Sequence, residues 1–516
     1  MLEPQQRTWL ANAGLVAGPV AAAVLWFAWS DEAGDEHRRE MAAAAVWIVT
    51  WWLTEALPLS ATALLPLVLF PTLGILPASK VALNYGESQI FLFLGGFLIA
   101  LAVERAGLHR RVALAVVAAM GDSPRRIVLG FVLATGLISM WMSNTATALL
   151  MMPMATSVLA RADELGRDPR IVRRLAIALV LGVGYAASMG GIATLIGTPP
   201  NLAFRQLYTE HFPHGPAISF GGWMLMAMPL SLALLGVCWF SLVYILFPLP
   251  GGAFFGGSNA IAEARRQLGP MSPAERRMAA IFVTTALAWV FREPVPGWGW
   301  APWLGGVTTG RALLVDDTTV AIAMALLCFV LPSKGWNGPP LLDWHTAHRV
   351  PWGILILFGG GLALAHGLSE THLDRLWGGW LGAWLTGKSQ FIVIAATTIG
   401  LTGFTEIASN VSAVQISMPL LAESARQVPC DPRLLMVPAT LAASCGFMLP
   451  VGTPVNAIAY ATGRLRMRHM VLAGAVMDFA SIVLIVAFVM ALGHLALGIE
   501  SNGFPSWAAD APVPTH

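Results

Sequence analysis

Three apolar blocks occur twice in this sequence and in the same order, and this repetition restricts the possible folds more than any other feature. The matched pairs are FLFLGGFLIALA (91–102) with LILFGGGLALAH (355–366), SNTATALLMMPM (143–154) with SNVSAVQISMPL (409–420), and ASMGGIATLIGTPPN (187–201) with ASCGFMLPVGTPVN (443–456). One such match between apolar segments arises easily by chance. Three in one order indicate that the chain consists of two related halves.

The composition places both halves in a lipid bilayer. Of the 516 residues, 56% are hydrophobic and only 11% are charged, whereas soluble domains carry about 25% charged residues. The net charge of +2 gives no indication of a nucleic-acid partner, and the four cysteines lack the spacing of a metal site or a disulfide framework. We therefore expect an all-α polytopic membrane protein. Hydrophobic runs predict eleven transmembrane helices, near 9–29, 41–57, 60–79, 89–104, 175–204, 218–248, 278–294, 318–332, 351–367, 434–460 and 470–497.

Two further apolar stretches, 127–160 and 390–422, are too long for one crossing of about 20 residues. Five arginines precede the first stretch and five follow it, and positively charged flanks belong on the cytoplasmic side. Both of its ends should therefore lie there, which predicts a re-entrant hairpin. The second stretch has few basic flanks and suits a hairpin that enters from the opposite face. The arginines around the first stretch are Arg105, Arg110, Arg111, Arg125 and Arg126 before it, and Arg161, Arg167, Arg170, Arg173 and Arg174 after it.

This topology also orients the chain. It places 20 of the 30 lysines and arginines on the cytoplasmic side. We expect the N-terminus in the cytoplasm and the C-terminus in the periplasm, with the chain in a bacterial inner membrane. An odd number of crossings separates corresponding blocks, so the two repeats are predicted to be inverted. Inverted repeats with broken helices are the architecture of secondary transporters, whose substrate site lies near the bilayer midplane.

Each half carries a polar triplet and a proline-containing turn within apolar sequence. An unsatisfied polar group costs roughly 2–7 kcal/mol to bury, and irregular backbone at membrane depth is tolerated only inside protein or beside a wet cavity. The triplets at 143–145 and 409–411 are predicted hairpin tips, and the prolines at 197–201 and 452–456 must break the following helices. Helix N-termini with polar side chains bind anions, and carbonyls freed by unwinding bind sodium. Two cations and one shared anion would fit this arrangement.

Structural explanations remain for several of these residues. A single Ser-Asn-Thr triplet can serve as a hydrogen-bonding patch between helices, but its repetition beside a Gly-Thr-Pro turn favours a binding site. Gly95, Gly96 and the glycines at 359–361 suit close helix packing. Glu406, next to the second triplet, could bind a cation or a proton or could form structural hydrogen bonds.

The paired triplets, TEALPLSATALLPLVLFP at 54–71 and ASCGFMLPVGTPVNAIA at 443–459 resemble the divalent anion–sodium symporter family (DASS), called solute carrier family 13 in mammals. The resemblance covers residues from about 40 to 497. It implies a homodimer in which a transport domain moves past a fixed scaffold domain, as in an elevator. The implied division is 1–104 mostly scaffold, 105–217 first hairpin and broken helix, 218–350 scaffold helices and loops, 351–469 second hairpin and broken helix, and 470–516 last helix and external tail.

The resemblance also implies roles for individual residues. Sodium ions, the co-transported species, would be held at a first site by Ser139, Ser143, Asn144 and Gly197, and at a second by Thr405, Ala408, Asn410 and Gly452. The dianionic substrate would meet Ser143, Asn144, Thr145, Ser409, Asn410 and Val411, in a pocket shaped by Thr198, Pro199, Thr453 and Pro454. Val411 departs from the threonine of many bacterial dicarboxylate members, and the missing hydroxyl is worth about 0.5–1.5 kcal/mol if it bonds substrate.

These observations predict a sodium-coupled importer of a divalent anion, with a four-carbon dicarboxylate such as succinate as the first choice. A sodium-independent dicarboxylate exchanger and a citrate or sulfate symporter of the same fold are the alternatives within transport. An intramembrane enzyme is disfavoured because the sequence shows no paired acids, nucleophile–base pair or metal-binding histidines at a common depth. A channel is disfavoured because broken helices in an inverted repeat favour alternating access.

Overall fold

The computed structural model of the chain describes residues 9–29, 37–252, 254, 266–292, 299–301, 315–335, 338–428, 430–450, 452–500 and 503–509. Over these residues the regular secondary structure is helical, and the only β-type pairing is an isolated bridge between Pro332 and Pro340. The all-α prediction is therefore confirmed.

The N-terminal part of the chain contains a break that the sequence analysis missed. A single span over 60–79 is wrong: the structure has two short helices, Leu59–Thr62 and Leu65–Thr72. Pro66 explains the break, because it lacks the N–H that a continuous helix needs and lies in the first turn of the second helix, and Gly74, with a φ of +74°, turns the chain after that helix ends. The other helices of this part are Trp9–Ala28, Arg38–Thr54, Ala78–Leu83, Ser88–Ala106 and Leu108–Met120, with a 3-10 turn at Asn84–Gly86.

Each of the two segments predicted as hairpins forms a pair of helices joined by a short turn. The first hairpin consists of Pro124–Ser139 and Asn144–Glu164, and the second of Gln390–Ile407 and Asn410–Gln427. Each is followed by a helix that stops and starts again. We call these the first broken helix, Pro169–Gly191 and Pro199–His211, and the second broken helix, Arg433–Ala443 and Pro454–Ala461.

The remaining helices connect and flank these elements. They are Phe220–Phe240, which continues as a π-helix over Ser241–Leu246, then Pro273–Val290, Asp317–Val330, Trp344–Ala347, Trp352–Glu370, Leu373–Leu385, Met467–Leu497 and Ser506–Ala509. Two helices that no apolar run predicted, Leu108–Met120 and Leu373–Leu385, lie just before the first and second hairpin. The two halves therefore match in this respect too.

Seven helices among the described residues are long and apolar enough to cross a bilayer. They are Trp9–Ala28, Ala78–Ala106, Pro169–Gly191, Phe220–Leu246, Trp352–Glu370, Gln390–Ile407 and Met467–Leu497. Shorter apolar helices cover 59–72, 317–330 and 433–443. The count of eleven crossings stays a prediction, because several expected spans are broken or short.

Close backbone contacts hold the helices together, as the glycines at 95–96 and 359–361 predicted. A Cβ added to Gly95 would lie 2.6 Å from that of Ala321, and one added to Gly360 would lie 2.6 Å from that of Ala63. In the same way, Gly190 leaves no room for a side chain against the carbonyl of Gly136, so the first broken helix lies directly on the first hairpin. These glycines serve helix packing.

Candidate functional site

The first hairpin turns at the predicted triplet. The helix Pro124–Ser139 ends, and a new helix begins at Asn144 with Ser143 as its N-cap, whose hydroxyl accepts a hydrogen bond of 3.3 Å from the Ala146 N–H. Asn144 and Thr145 therefore occupy the first turn of the new helix, where backbone N–H groups have no partner within the helix. We call Ser143, Asn144 and Thr145 the first tip.

The second hairpin has the same construction. Its first helix ends at Ile407, and Ser409 caps the next helix by accepting a hydrogen bond of 3.3 Å from the Ser412 N–H. Ser409, Asn410 and Val411 form the second tip. The two tips are equivalent residue by residue at the helix start: in each, a serine caps the helix and an asparagine is the first helical residue.

The two broken helices unwind where the Gly-Thr-Pro motifs predicted. The first unwound turn covers 192–198, and the helix restarts at Pro199 with Thr198 as N-cap. The second covers 444–450 and 452–453, and Thr453 caps the restarted helix by accepting from the Asn456 N–H at 3.2 Å. Proline at the first helical position suits both starts, because its missing N–H would be unpaired there.

Two asparagines that the site prediction left out hold these turns in shape. The Asn201 side-chain amide donates to the carbonyls of Ile192 (3.2 Å) and Thr194 (2.7 Å). Asn456 donates in the same way to Gly446 (3.1 Å) and Leu449 (3.0 Å). Both are fully buried. Their equivalent positions at the ends of the two repeated blocks were the signal that could have identified them.

Both tips and both unwound turns face one cavity of about 480 Å³. The first residues of four helices thus meet around a single space, in the arrangement that suits an anion. All ten residues predicted to contact the substrate line this cavity. They are Ser143, Asn144, Thr145, Thr198, Pro199, Ser409, Asn410, Val411, Thr453 and Pro454.

The residues predicted to hold sodium lie at the tips or directly behind them. The Ser139 hydroxyl lies 2.9 Å from Asn144 Oδ1 and 2.6 Å from the Ala187 carbonyl oxygen. A Cβ added to Gly191 would lie 2.3 Å from the same Asn144 oxygen and 3.1 Å from the Gly197 carbonyl oxygen. Hydroxyl, amide and carbonyl oxygens are therefore crowded behind the first tip.

The second half repeats this oxygen cluster. The Thr405 hydroxyl lies 2.8 Å from Asn410 Oδ1 and 2.8 Å from the Ala443 carbonyl oxygen. A Cβ added to Gly452 would lie 3.1 Å from the carbonyl oxygen of Thr405, while Ala408 is buried at the end of the preceding helix. Uncharged oxygens are suitable ligands for a hard cation such as sodium. Among the described residues, no cluster of histidine, cysteine and acidic side chains could hold a metal ion.

Glu406 has two backbone partners in the structure. Its carboxylate accepts hydrogen bonds from the N–H groups of Met448 (2.9 Å) and Leu449 (3.0 Å). Asp478, on the last long helix, accepts from the Phe447 N–H at 3.2 Å. These contacts favour the structural interpretation of Glu406, because the two acids together fix the second unwound turn.

Two charged residues of the cavity wall were not predicted from the sequence. Glu104, near the end of the helix Ser88–Ala106, and Arg349, just before Trp352–Glu370, line the same space as the tips. The remaining lining is mainly apolar and includes Leu59, Phe97, Leu101, Leu149, Ile354 and Leu357.

Comparison with known proteins gives a consistent result. The family described as "Sodium:sulfate symporter transmembrane region" matches residues 11–499. The chain is 38% identical over 495 residues to the sodium-dependent dicarboxylate transporter SdcS of Staphylococcus saprophyticus, covering 94% of this chain and 92% of that protein. It is 39% identical over 468 residues to SdcS of Staphylococcus aureus, covering 89% and 87%.

Two solved structures share the fold at low sequence identity. MtrF of Neisseria gonorrhoeae, described as one of a class of antimetabolite efflux pumps, aligns with a TM-score of 0.58 at 14% identity, covering 96% of this chain and 97% of that one. The YdaH transporter of Alcanivorax borkumensis aligns with a TM-score of 0.51 at 12% identity, covering 94% and 98%. At these identities the likeness concerns the fold alone.

Proposed function

Since the chain belongs to the sodium:sulfate symporter family and is a membrane transporter rather than an enzyme, we propose that it imports a four-carbon dicarboxylate such as succinate together with sodium ions. One observation supports this most directly: two uncharged polar tips and two unwound turns surround a single cavity. The names of the staphylococcal relatives favour a dicarboxylate and sodium dependence.

The chemistry of the tips gives a physical reason for the coupling. Hydrogen bonds to a charged group contribute about 1.5–3 kcal/mol each, and a helix N-terminus stabilises a nearby negative charge by about 0.3–1 kcal/mol. These contributions leave the two charges of a dianion unneutralised, because neither tip carries a basic residue and the arginine in the cavity wall, Arg349, is paired with Glu104. Sodium ions in the oxygen clusters behind the tips would supply the missing positive charge. Substrate and sodium would then each strengthen the binding of the other.

We propose an elevator movement in which the two hairpins and the two broken helices form the mobile unit. Tight contacts within this group support its movement as one body. Tyr185 of the first broken helix packs against Phe447 of the second turn, with ring centroids 5.0 Å apart, and a Cβ added to Gly184 would touch Ala459 at 3.4 Å.

Contacts also suggest adjusting two of the expected domain boundaries. Phe220–Phe240 was expected in the scaffold, but its Trp223 and Ser231 donate hydrogen bonds of 3.0 and 2.7 Å to carbonyls of residues 192 and 189, in the mobile unit. Trp352–Glu370 was expected in the mobile unit, but it packs against both parts: a Cβ added to Gly359 would clash with Tyr85 of the N-terminal part, and one added to Gly361 would clash with Gln415 of the second hairpin. We therefore assign the first of these helices to the mobile unit and propose that the second forms the boundary between the mobile unit and the scaffold.

Homodimerisation, location in a bacterial inner membrane, a cytoplasmic N-terminus and a periplasmic C-terminus complete the proposal. They rest on the family and on the distribution of basic residues. Cross-linking in native membranes tests whether the protein is a homodimer. Accessibility of tags at the two ends of the chain measures the orientation.

Uptake of labelled succinate into proteoliposomes tests the proposed function. We expect accumulation with an inward sodium gradient and almost none when choline replaces sodium. Uptake that ignores sodium but requires internal dicarboxylate would instead establish the sodium-independent exchanger. Competition by unlabelled succinate, citrate and sulfate ranks the substrates, and a clear preference for sulfate or citrate would overturn the dicarboxylate assignment.

A further inference from the structure

The cavity that contains the two tips has one ion pair in its wall. Among its described lining residues, Glu104 and Arg349 alone carry a charge, and Arg349 Nη2 lies 2.5 Å from Glu104 Oε1. The Arg349 side chain is 60% exposed and that of Glu104 is 29% exposed. Exposed ion pairs of this kind contribute little to stability. A structural role alone therefore gives a poor explanation for a charged pair in an otherwise uncharged wall.

The predicted orientation of the chain puts the pair on the cytoplasmic side. Arg105, next to Glu104 in sequence, forms an ion pair of 2.6 Å with Asp343, six residues before Arg349. Arg105 begins the basic cluster 105–126, which belongs on the cytoplasmic side. The pair therefore marks the cytoplasmic mouth of the cavity.

Arginine has particular properties in this position. Its planar guanidinium matches a carboxylate with two parallel hydrogen bonds, and a basic group at the mouth of a cleft raises the local concentration of anions. Glu104 opposes both effects, because it occupies the guanidinium and cancels its charge. An approaching dianion competes directly with Glu104 for Arg349.

We propose that Arg349 is an anion-guiding residue at the cytoplasmic mouth, which exchanges Glu104 for a carboxylate of the substrate as the dianion enters or leaves. Glu104 limits the strength of this contact so that the anion does not remain at the mouth. The inference rests on the proposed function, since it requires a transported dianion. It adds a substrate-guiding residue outside the two tips.

Transport from the cytoplasmic face tests this role. We would express the full chain in bacteria, prepare everted membrane vesicles, and measure succinate uptake as a function of succinate and salt concentration. Arg349→Gln is expected to raise the apparent KM by about threefold to tenfold with little change in maximal rate, and this difference should shrink at high ionic strength. Arg349→Lys, which keeps the charge, should restore most of the loss. Glu104→Gln, which frees Arg349, should lower the apparent KM.

The opposite signs of the two single substitutions separate guidance from structural support. If both substitutions raise KM, or both lower the maximal rate, the pair is a structural contact and the inference is wrong. Unchanged kinetics in both variants would also overturn it. Arg110→Gln serves as the matched control, because it removes an exposed cytoplasmic-side arginine that does not line the cavity. If the wild-type protein shows no sodium-dependent uptake, the proposed function is wrong. The role of Arg349 is tested separately, by comparing the variants with the wild type on any dianion that the wild-type protein transports.

Discussion

Ser139 donates a hydrogen bond of 2.9 Å to Asn144, and at the same offset of five positions Thr405 donates one of 2.8 Å to Asn410. Each hydroxyl also lies within hydrogen-bond distance of a carbonyl oxygen near the break in the adjacent broken helix, so its single proton has two acceptors within reach. The hydroxyl therefore lies between the tip asparagine and the helix that unwinds beside it. A substrate or a cation that displaces a tip would therefore also displace the adjacent unwound turn.

Asn144→Ala and Asn410→Ala should each reduce sodium-driven succinate uptake by at least about tenfold. Each change removes a hydrogen-bonding group beside a charged ligand, worth about 1.5–3 kcal/mol, together with one oxygen of the proposed sodium site. Initial uptake rates in proteoliposomes measure the effect, and expression and dimerisation should be unchanged. Leu149→Ala is the control, because Leu149 lines the same cavity without a polar group. Normal transport by both asparagine variants would contradict the site assignment.

Val411→Thr and Thr145→Val form a reciprocal test of substrate choice. The two residues occupy equivalent positions in the two tips and line the same cavity. Gain or loss of one hydroxyl should shift the ratio of succinate, citrate and sulfate transport by about twofold to tenfold, the range expected for one hydrogen bond. Sodium dependence should change less. A competition panel measures the ratio, and an altered sodium requirement with constant substrate ratios would oppose this assignment.

Gly191→Ala and Gly446→Ala should weaken the apparent affinity for sodium. A Cβ at Gly191 would come within 2.3 Å of Asn144 Oδ1, and one at Gly446 within 2.9 Å of the Thr405 side chain, so the oxygen clusters must shift. The sodium concentration for half-maximal uptake measures this change. Gly236→Ala is the control, since Gly236 lies in a helix with open space around its Cβ position. There the change should be neutral or stabilise the helix by about 0.5–1 kcal/mol. Equal effects of all three substitutions would rule out a specific role of the clusters.

The sequence was most informative where one residue type imposes a local structure. Proline fixed the restart of both broken helices at Pro199 and Pro454, and serine before asparagine marked both helix starts at the tips. Repetition strengthened each of these signals. Local signals could also be missed, as over 60–79, where the apolar run drew attention away from Pro66, at which the helix is interrupted.

Other features depend on tertiary contacts or on weaker patterns. Glu104 and Arg349 lie 245 residues apart in sequence, so nothing local predicts that they meet in the cavity wall. The helices Leu108–Met120 and Leu373–Leu385 are short and partly polar, and a search for long apolar runs passes over them. Helical periodicity was the signal that could have revealed these two.

Glu275 gives a prediction about stability and pH. It closes a capping box with Ser272 at the start of the helix Pro273–Val290 and receives a hydrogen bond of 2.7 Å from Arg111, just before the predicted span begins. The bond from Arg111 lowers the pKa of this carboxyl below its ordinary value of 4.5. The stabilisation of the folded protein by the ionised Glu275 carboxylate is therefore complete above pH 4.5. It is lost as the pH falls through the lowered pKa of Glu275. Glu275→Gln should destabilise the purified protein by about 1.5 kcal/mol at neutral pH, and the gap in melting temperature should close in acid. Glu164→Gln is the control: Glu164 forms an exposed ion pair with Arg161, so this change should alter the melting temperature little. If the difference in melting temperature between Glu275→Gln and the wild type persists in acid, the ionic explanation is wrong.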